Sequence, residues 1–205
     1  MDQIVKFIKD HHISEEEMAH RSGINIRSFR RQIHAQDRLQ PHVMRVLAKS
    51  QNERIDSIFF QHMKYDPICL EGYTYEQICD IIKLIHPELF DNECRYHKSR
   101  YPEYNLATDL GDRIRFIRDV VFSLSQENLA KEFDVSRNTS KYWDVGQINV
   151  DKIYQFSLKT NISMDFIIWD NHPLELQTDG MDELLYQAIL TNCKLYKVRN
   201  KKIVK

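Results

Sequence analysis

The stretch that decides the fold is Leu124-Ser125-Gln126-Glu127-Asn128-Leu129-Ala130, followed after a short link by Val135-Ser136-Arg137-Asn138-Thr139. Its character recurs earlier, as Ile13-Ser14-Glu15-Glu16-Glu17-Met18-Ala19 and Ile24-Asn25-Ile26-Arg27-Ser28, at an offset of 111 residues. In both copies a serine precedes a helical pattern, where its hydroxyl can cap the free amides of the helix. The repetition indicates one structural unit present twice.

A second pair of segments extends the repeat. Asn52-Glu53-Arg54-Ile55-Asp56-Ser57-Ile58 resembles Asn161-Ile162-Ser163-Met164-Asp165-Phe166-Ile167 at an offset of 109 residues. Each unit is about 60 residues long and shows apolar residues spaced by three and four, which is the period of a helix. We therefore predict five short helices in each unit and an all-α fold.

The predicted organisation has four parts. Residues 1–65 form the first unit, 66–109 a helical connecting segment with an amphipathic helix near 75–86, 110–170 the second unit, and 171–205 a C-terminal amphipathic helix with a basic tail. The apolar stripe of the connecting helix (Ile78, Ile81, Ile82 and Ile85) needs a partner. Its own unit, the other copy of the unit and a second subunit all remain open, so a homodimer through the amphipathic helices is one expectation.

Composition excludes several classes of protein. The chain of 205 residues has only five glycines and five prolines, and it contains no glycine-rich phosphate-binding motif. No nucleophile–base motif is present either, so we expect neither an enzyme nor a cofactor. No apolar run approaches the ~18 residues of a membrane span. The absence of a secretory signal pattern and the scattered cysteines favour a cytoplasmic protein.

The net charge of −1 conceals blocks of opposite sign. Residues 23–49 carry six Lys or Arg against one acid, and residues 194–205 carry six Lys or Arg and no acid. Residues 66–112 instead hold ten acids against four bases, and residues 170–183 hold five acids and no base. A protein that binds phosphates needs a positive face rather than a positive total, so this charge distribution is compatible with nucleic acid.

The second copy resembles the Xre/Cro-repressor helix-turn-helix family. The resemblance runs from Leu110-Gly111-Asp112-Arg113-Ile114-Arg115, through the stretch quoted first, to Trp143, Asp144 and Gly146. The first copy matches less strongly but keeps Gly23 in the turn. The resemblance implies two lambda-repressor-like five-helix units and double-stranded DNA as the partner.

The resemblance also implies which residues bind DNA, since the third helix of each unit would enter the major groove. The side chains placed at base edges are Ile26, Arg27 and Arg31 in the first unit and Arg137, Asn138 and Tyr142 in the second. Those placed at phosphates are Ser28, Arg30, Thr139, Lys141 and Gln126. Arginine can bind guanine, and asparagine adenine, with two hydrogen bonds.

Each unit departs from the family at one position. Glu15 stands where the second unit has Gln126, and a carboxylate repels phosphate. Ser140 stands where the family has an apolar residue and the first unit has Phe29. Trp143 is expected to be a core aromatic.

The sequence does not predict a metal site. Cys79, His86, Cys94 and His97 have suitable side chains, but only Cys94 and His97 are closely spaced, whereas structural zinc sites pair close ligands twice.

Two functional hypotheses follow. The first is a sequence-specific transcriptional regulator whose unlike units read an asymmetric or direct-repeat operator as a monomer, or a palindrome of such elements as a dimer. The second is a protein-binding adaptor, such as an antirepressor, an antitoxin or a phage inhibitor of host defence. In that case the helix-turn-helix units serve as scaffold and the acidic segments as the working surface.

Overall fold

The structure, a computed structural model, describes residues 2–35, 39–60, 62–90 and 103–203. This part of the chain is mostly helical and contains a single two-stranded sheet, so the predicted all-α class is confirmed. The elements of the first half are α1 Asp2–Asp10, α2 Glu15–Arg21, α3 Ile26–His34, α4 Pro41–Gln51, α5 Ile55–Phe59, β1 Ile68–Cys69, α6 Tyr75–Ile85 and a 3₁₀ helix, Pro87–Phe90. Those of the second half are α7 Leu110–Phe116, a π-helical turn Ile117–Val121, α8 Gln126–Glu132, α9 Arg137–Trp143, α10 Val150–Thr160, α11 Met164–Ile168, β2 Glu175–Leu176 and α12 Glu183–Ile203.

The backbone follows the same path twice. Eight of the ten described residues with a positive φ form four pairs, namely His12 (51°) and Ser123 (55°), Gly23 (68°) and Asp134 (49°), Asn52 (56°) and Asn161 (54°), and Gly72 (82°) and Gly180 (74°). The left-handed conformation costs an ordinary residue about 1–2 kcal/mol, whereas glycine adopts it freely and asparagine or aspartate tolerates it. The chain therefore turns at matching places in the two copies, three of them within α1–α5 and α7–α11 and the fourth just before α6 and α12.

One continuous apolar core runs through both halves. In the first half Phe29, Val43 and Leu47 are fully buried. In the second half Phe133 and Phe156 stack with ring centroids 4.4 Å apart, and Trp143 meets both rings edge-on. Trp143 is 3% exposed, which confirms that it is a core aromatic.

The two halves meet through equivalent elements. β1 and β2 pair antiparallel, with Ile68 opposite Leu176 and Cys69 opposite Glu175. Helix α5 packs against α11, and α6 against α12. Because each element contacts its own counterpart, an approximate two-fold rotation relates the halves.

The amphipathic helix α6 finds its partner within the chain. Its residues Ile78, Ile81 and Ile82 are buried, and the Tyr196 hydroxyl of α12 donates to the Asp80 carboxylate at 3.0 Å. Of the three partners that the sequence left open for α6, the structure has the other copy of the unit, since α6 packs against α12 and against the π-helical turn Ile117–Val121.

A buried arginine holds the second half together and links it to the first. Arg113 is 0% exposed and donates to the carbonyl oxygens of Ile167 (2.9 Å) and Leu106 (3.1 Å) and to Asp170 (3.2 Å). The same Asp170 carboxylate accepts from Arg45 of α4 at 2.9 Å. Arg45, counted in the basic block of the sequence, is thus engaged between the halves.

Candidate nucleic-acid interface

Helices α2 and α3 are joined by the same turn as α8 and α9. The Ile24 N–H donates to the Ala19 carbonyl at 3.1 Å, and the Val135 N–H donates to the Ala130 carbonyl at 2.9 Å. The next helix then begins at a residue whose side chain caps it. The Asn25 side chain accepts from the Ser28 N–H at 2.8 Å, and the Ser136 side chain accepts from the Thr139 N–H at 3.1 Å. Since turn and cap are shared, α3 and α9 leave their turns with the same local geometry.

Helix α3 has one buried and one cationic face. Phe29 and Ile33 anchor it in the core, while Arg27, Arg30 and Arg31 are exposed and Ile26 and Ser28 are partly buried. Arg27 and Arg31 form no ion pair with any carboxylate in the described part of the chain. The predicted cluster of three arginines therefore lies on one solvent-facing surface.

Arg30 differs from its neighbours because it pairs with Glu15. Its Nε lies 2.8 Å from a Glu15 carboxylate oxygen, and the two side chains are 56% and 29% exposed. An ion pair this exposed contributes at most about 1 kcal/mol. Glu15 thus faces an arginine of α3 in its own unit, and the pair can open at little cost.

Helix α9 exposes a smaller polar face. Arg137, Asn138, Lys141 and Tyr142 are exposed, the last with 57% of its surface, and Thr139 is partly buried. None of the first three side chains is bonded to another side chain within the described residues. The structure therefore brings these four predicted residues together on one surface.

Ser140 resolves the apparent defect of the second unit. Its side chain is fully buried, and its hydroxyl lies within hydrogen-bond distance of the carbonyl oxygens of Gln126 (3.0 Å) and Arg137 (2.9 Å). A buried hydroxyl that has hydrogen-bond partners does not destabilise the fold. Where Phe29 fixes α3 by apolar burial, Ser140 fixes α9 against α8 by hydrogen bonding.

Gln126 is already engaged, which the sequence did not reveal. Its amide nitrogen donates to the Asp144 carboxylate at 2.5 Å, and Arg118 donates to the same carboxylate at 3.2 and 3.0 Å. Asp144 and Arg118 are 8% and 11% exposed as side chains. This network ties the start of α8 to the end of α9, and it occupies one of the two N–H donors of the Gln126 side chain.

The connection after α3 reaches the second half. The Leu39 carbonyl accepts a hydrogen bond from the Val150 N–H, the first residue of α10, at 2.8 Å. Elements related by a two-fold rotation lie at the same level along its axis and on opposite sides. α3 and α9 therefore belong to two halves that are joined by direct contacts.

The remaining residues considered from the sequence are the possible metal ligands and Arg38. Cys94, His97 and Arg38 lie outside the described residues. The Cys79 thiol donates to the Val120 carbonyl, and His86 contacts Glu88 and Asn161. Within the described ranges no group of three His, Cys, Asp or Glu side chains is arranged to hold a metal ion.

Comparisons of the chain with protein-family models, with characterised proteins and with solved structures find no match. Among the described residues, no helix combines the length and apolar character needed to span a bilayer.

Proposed function

We propose that this chain is a sequence-specific regulator of transcription that binds double-stranded DNA through two helix-turn-helix motifs of the Xre/Cro type, α2–α3 and α8–α9. One observation carries the proposal. Two equivalent helices, each capped at its start and anchored by a buried residue, expose basic and amide side chains, and the contacts between the halves hold them as one body. Such a regulator acts in the bacterial cytoplasm, where its DNA is accessible.

The side chains divide into two roles. Arg27 and Arg31 on α3, and Arg137 and Asn138 on α9, have the donors for base edges in the major groove. Ile26 and Tyr142 offer apolar contact beside them. The residues proposed to bind phosphates are Ser28, Arg30, Thr139, Lys141 and Gln126. Arg30 would break its ion pair with Glu15 to contact a phosphate.

The two-fold relation between the halves changes the expected operator. Two helices related by such a rotation read half-sites in inverted orientation, about 34 Å or a multiple apart. Because α3 and α9 carry different side chains, the half-sites differ in sequence. We therefore propose an imperfect palindrome, which replaces the direct repeat that the sequence had left open.

Selection from a pool of random duplexes tests the proposal. The expected result is one enriched motif with two unlike inverted halves. Binding to it should weaken with salt at a log–log slope of roughly −5 to −7, as expected for six to eight phosphate contacts. A variant with Arg27 and Arg137 both changed to Ala should lose the motif, whereas exposed Arg21→Ala, on α2, serves as the matched control. No enrichment at low salt would refute the proposal.

The adaptor hypothesis is the second candidate, favoured by three contacts. Arg30 pairs with Glu15, Gln126 donates to Asp144, and the Thr139 hydroxyl lies 2.9 Å from that of Ser136, so three of the five proposed phosphate-binding side chains already have partners. In that case the fold is scaffold and a protein is the partner. DNA binding that is weak, independent of sequence and unaffected by changes in α3 and α9 would favour the adaptor.

A further inference from the structure

Helix α12 has two apolar faces, of which the chain uses only one. Ile189 and Cys193 are buried, and Tyr186 and Leu190 pack against the core. On the opposite side Leu184, Leu195 and Val198 are 84%, 53% and 54% exposed. Nothing in the described part of the chain covers this second face.

The exposed residues follow the spacing of a helix–helix seam. Leu184, Ala188, Thr191, Leu195 and Val198 are separated by steps of four, three, four and three. This is the heptad pattern with which one helix packs along another. We call these five residues the α12 stripe. Three large side chains at this spacing on a single helix are not the scattered apolar residues of an ordinary surface.

The charges beside the stripe identify the occupant. Asp182 and Glu183 are exposed at the start of α12, whereas Lys194 is exposed near its far end. No acid follows Lys194 in the sequence. At 100° per residue, Glu183 and Lys194 fall on the same flank of the stripe. A helix that is acidic at one end and basic at the other is complementary to an antiparallel copy of itself.

We infer that a second copy of this chain packs antiparallel on the α12 stripe. In the favoured register Leu184 contacts Leu195 of the second copy, and the small residues Ala188 and Thr191 meet at the centre, where they let the helices approach. Glu183 then lies near Lys194 of the second copy on each side. The inference does not depend on DNA binding, but a dimer would present α3 and α9 twice.

Sedimentation of the full chain without DNA tests this. From about 1 to about 100 µM the mass should rise from one chain toward two, because a single helix pair is a small interface and binds weakly. Leu184→Glu and Leu195→Glu should each weaken association at least about tenfold. Both positions are exposed in the single chain, so folding should be kept. Leu158→Glu on α10, where the native leucine is 44% exposed, is the matched control and should change nothing.

A charge exchange tests the antiparallel arrangement. Glu183→Lys alone and Lys194→Glu alone should each weaken the dimer, and the double variant should restore it. A parallel pair would not show this restoration, since Glu183 of one copy and Lys194 of the other would then lie on opposite sides of the seam and far apart along it. A chain that stays single at every concentration overturns the inference, as does a Leu184→Glu variant that associates like the native protein.

Discussion

Asp56 and Asp165 each cap the helix on which the other lies. The Asp56 carboxylate accepts from the Met164 N–H at 2.7 Å and from the Ser163 hydroxyl at 2.6 Å, while the Asp165 carboxylate accepts from the N–H groups of Ile55 (2.8 Å) and Asp56 (3.2 Å). The two residues hold equivalent places in the repeat, 109 positions apart. Because both are buried, water cannot replace either cap, and the ordering of α5 depends on α11 and the reverse.

Removing Asp165 should therefore destabilise the whole protein. Asp165 also accepts from Trp169 Nε1 (3.0 Å) and Arg54 Nε (3.1 Å). Asp165→Ala would leave these donors and the buried N–H groups of Ile55 and Asp56 without their acceptor. We expect a loss of about 3–5 kcal/mol in the free energy of unfolding, measured by urea denaturation. Exposed Asp66→Ala is the control. A loss below about 1 kcal/mol at Asp165 would mean that the reciprocal caps do not hold the halves together.

Stability should depend on pH through Asp56. Burial, together with the neighbouring Asp165 carboxylate, raises the pKa of Asp56 to about 7 from its ordinary 3.8. The folded chain then binds this proton more tightly than the unfolded chain. The resulting stabilisation is fully present below the unfolded pKa and is lost as the pH rises toward 7.

Asp56→Asn isolates this contribution, because the other titrating groups are common to both proteins. Urea unfolding at intervals from about pH 4 to about pH 8 should show the native protein losing stability relative to Asp56→Asn as the pH rises. Parallel pH profiles for the two proteins would contradict the assignment.

Arg137 and Lys141 should affect DNA binding in different ways. Arg137→Ala should cost about 1–3 kcal/mol at the selected motif and relax the preference at one base pair. Lys141→Ala should weaken binding to all sequences alike and reduce the salt slope by about one. Titrations of the motif and of an unrelated duplex separate the two effects. If both variants bind the motif with native affinity, α9 does not read DNA.

Gly111 should tolerate no side chain. A Cβ there would lie 2.6 Å from the Asp144 carbonyl oxygen and 2.9 Å from the Gly146 nitrogen. We expect Gly111→Ala to cost about 3 kcal/mol because the α7–α9 contact must open. Gly23→Ala, with open space around a φ of +68°, should cost about 1 kcal/mol. Equal costs for the two changes in thermal unfolding would show that the close approach of α7 to α9 is not essential.

Several local features were predictable from the chain alone. The capping roles of Ser14 and Ser125 were expected from residues within one helical turn, and both side chains accept a backbone N–H of the helix that follows. The helix near 75–86 was expected from the spacing of its isoleucines and is found at Tyr75–Ile85.

Other features of the structure were not predicted from the sequence. The buried network of Gln126, Asp144 and Arg118 joins residues from three elements, and the burial of Arg113 has no periodic signature. One signal was available for the reciprocal caps, since Asp56 and Asp165 are aligned acids in otherwise apolar segments of the repeat. An isolated acid in an apolar segment is a candidate for a buried, bonded carboxylate.

The sequence by itself determined the helices and their caps, because these depend on residues no more than a few positions apart, and it showed the duplication as the same local pattern recurring 109 to 111 positions later. Only the tertiary structure decided that the copies pair with each other, that α6 packs on α12, and that Asp56 and Asp165 exchange caps. These contacts join residues more than 100 positions apart. Which apolar face meets which is set by the packing of whole helices, and that information is absent from any local pattern.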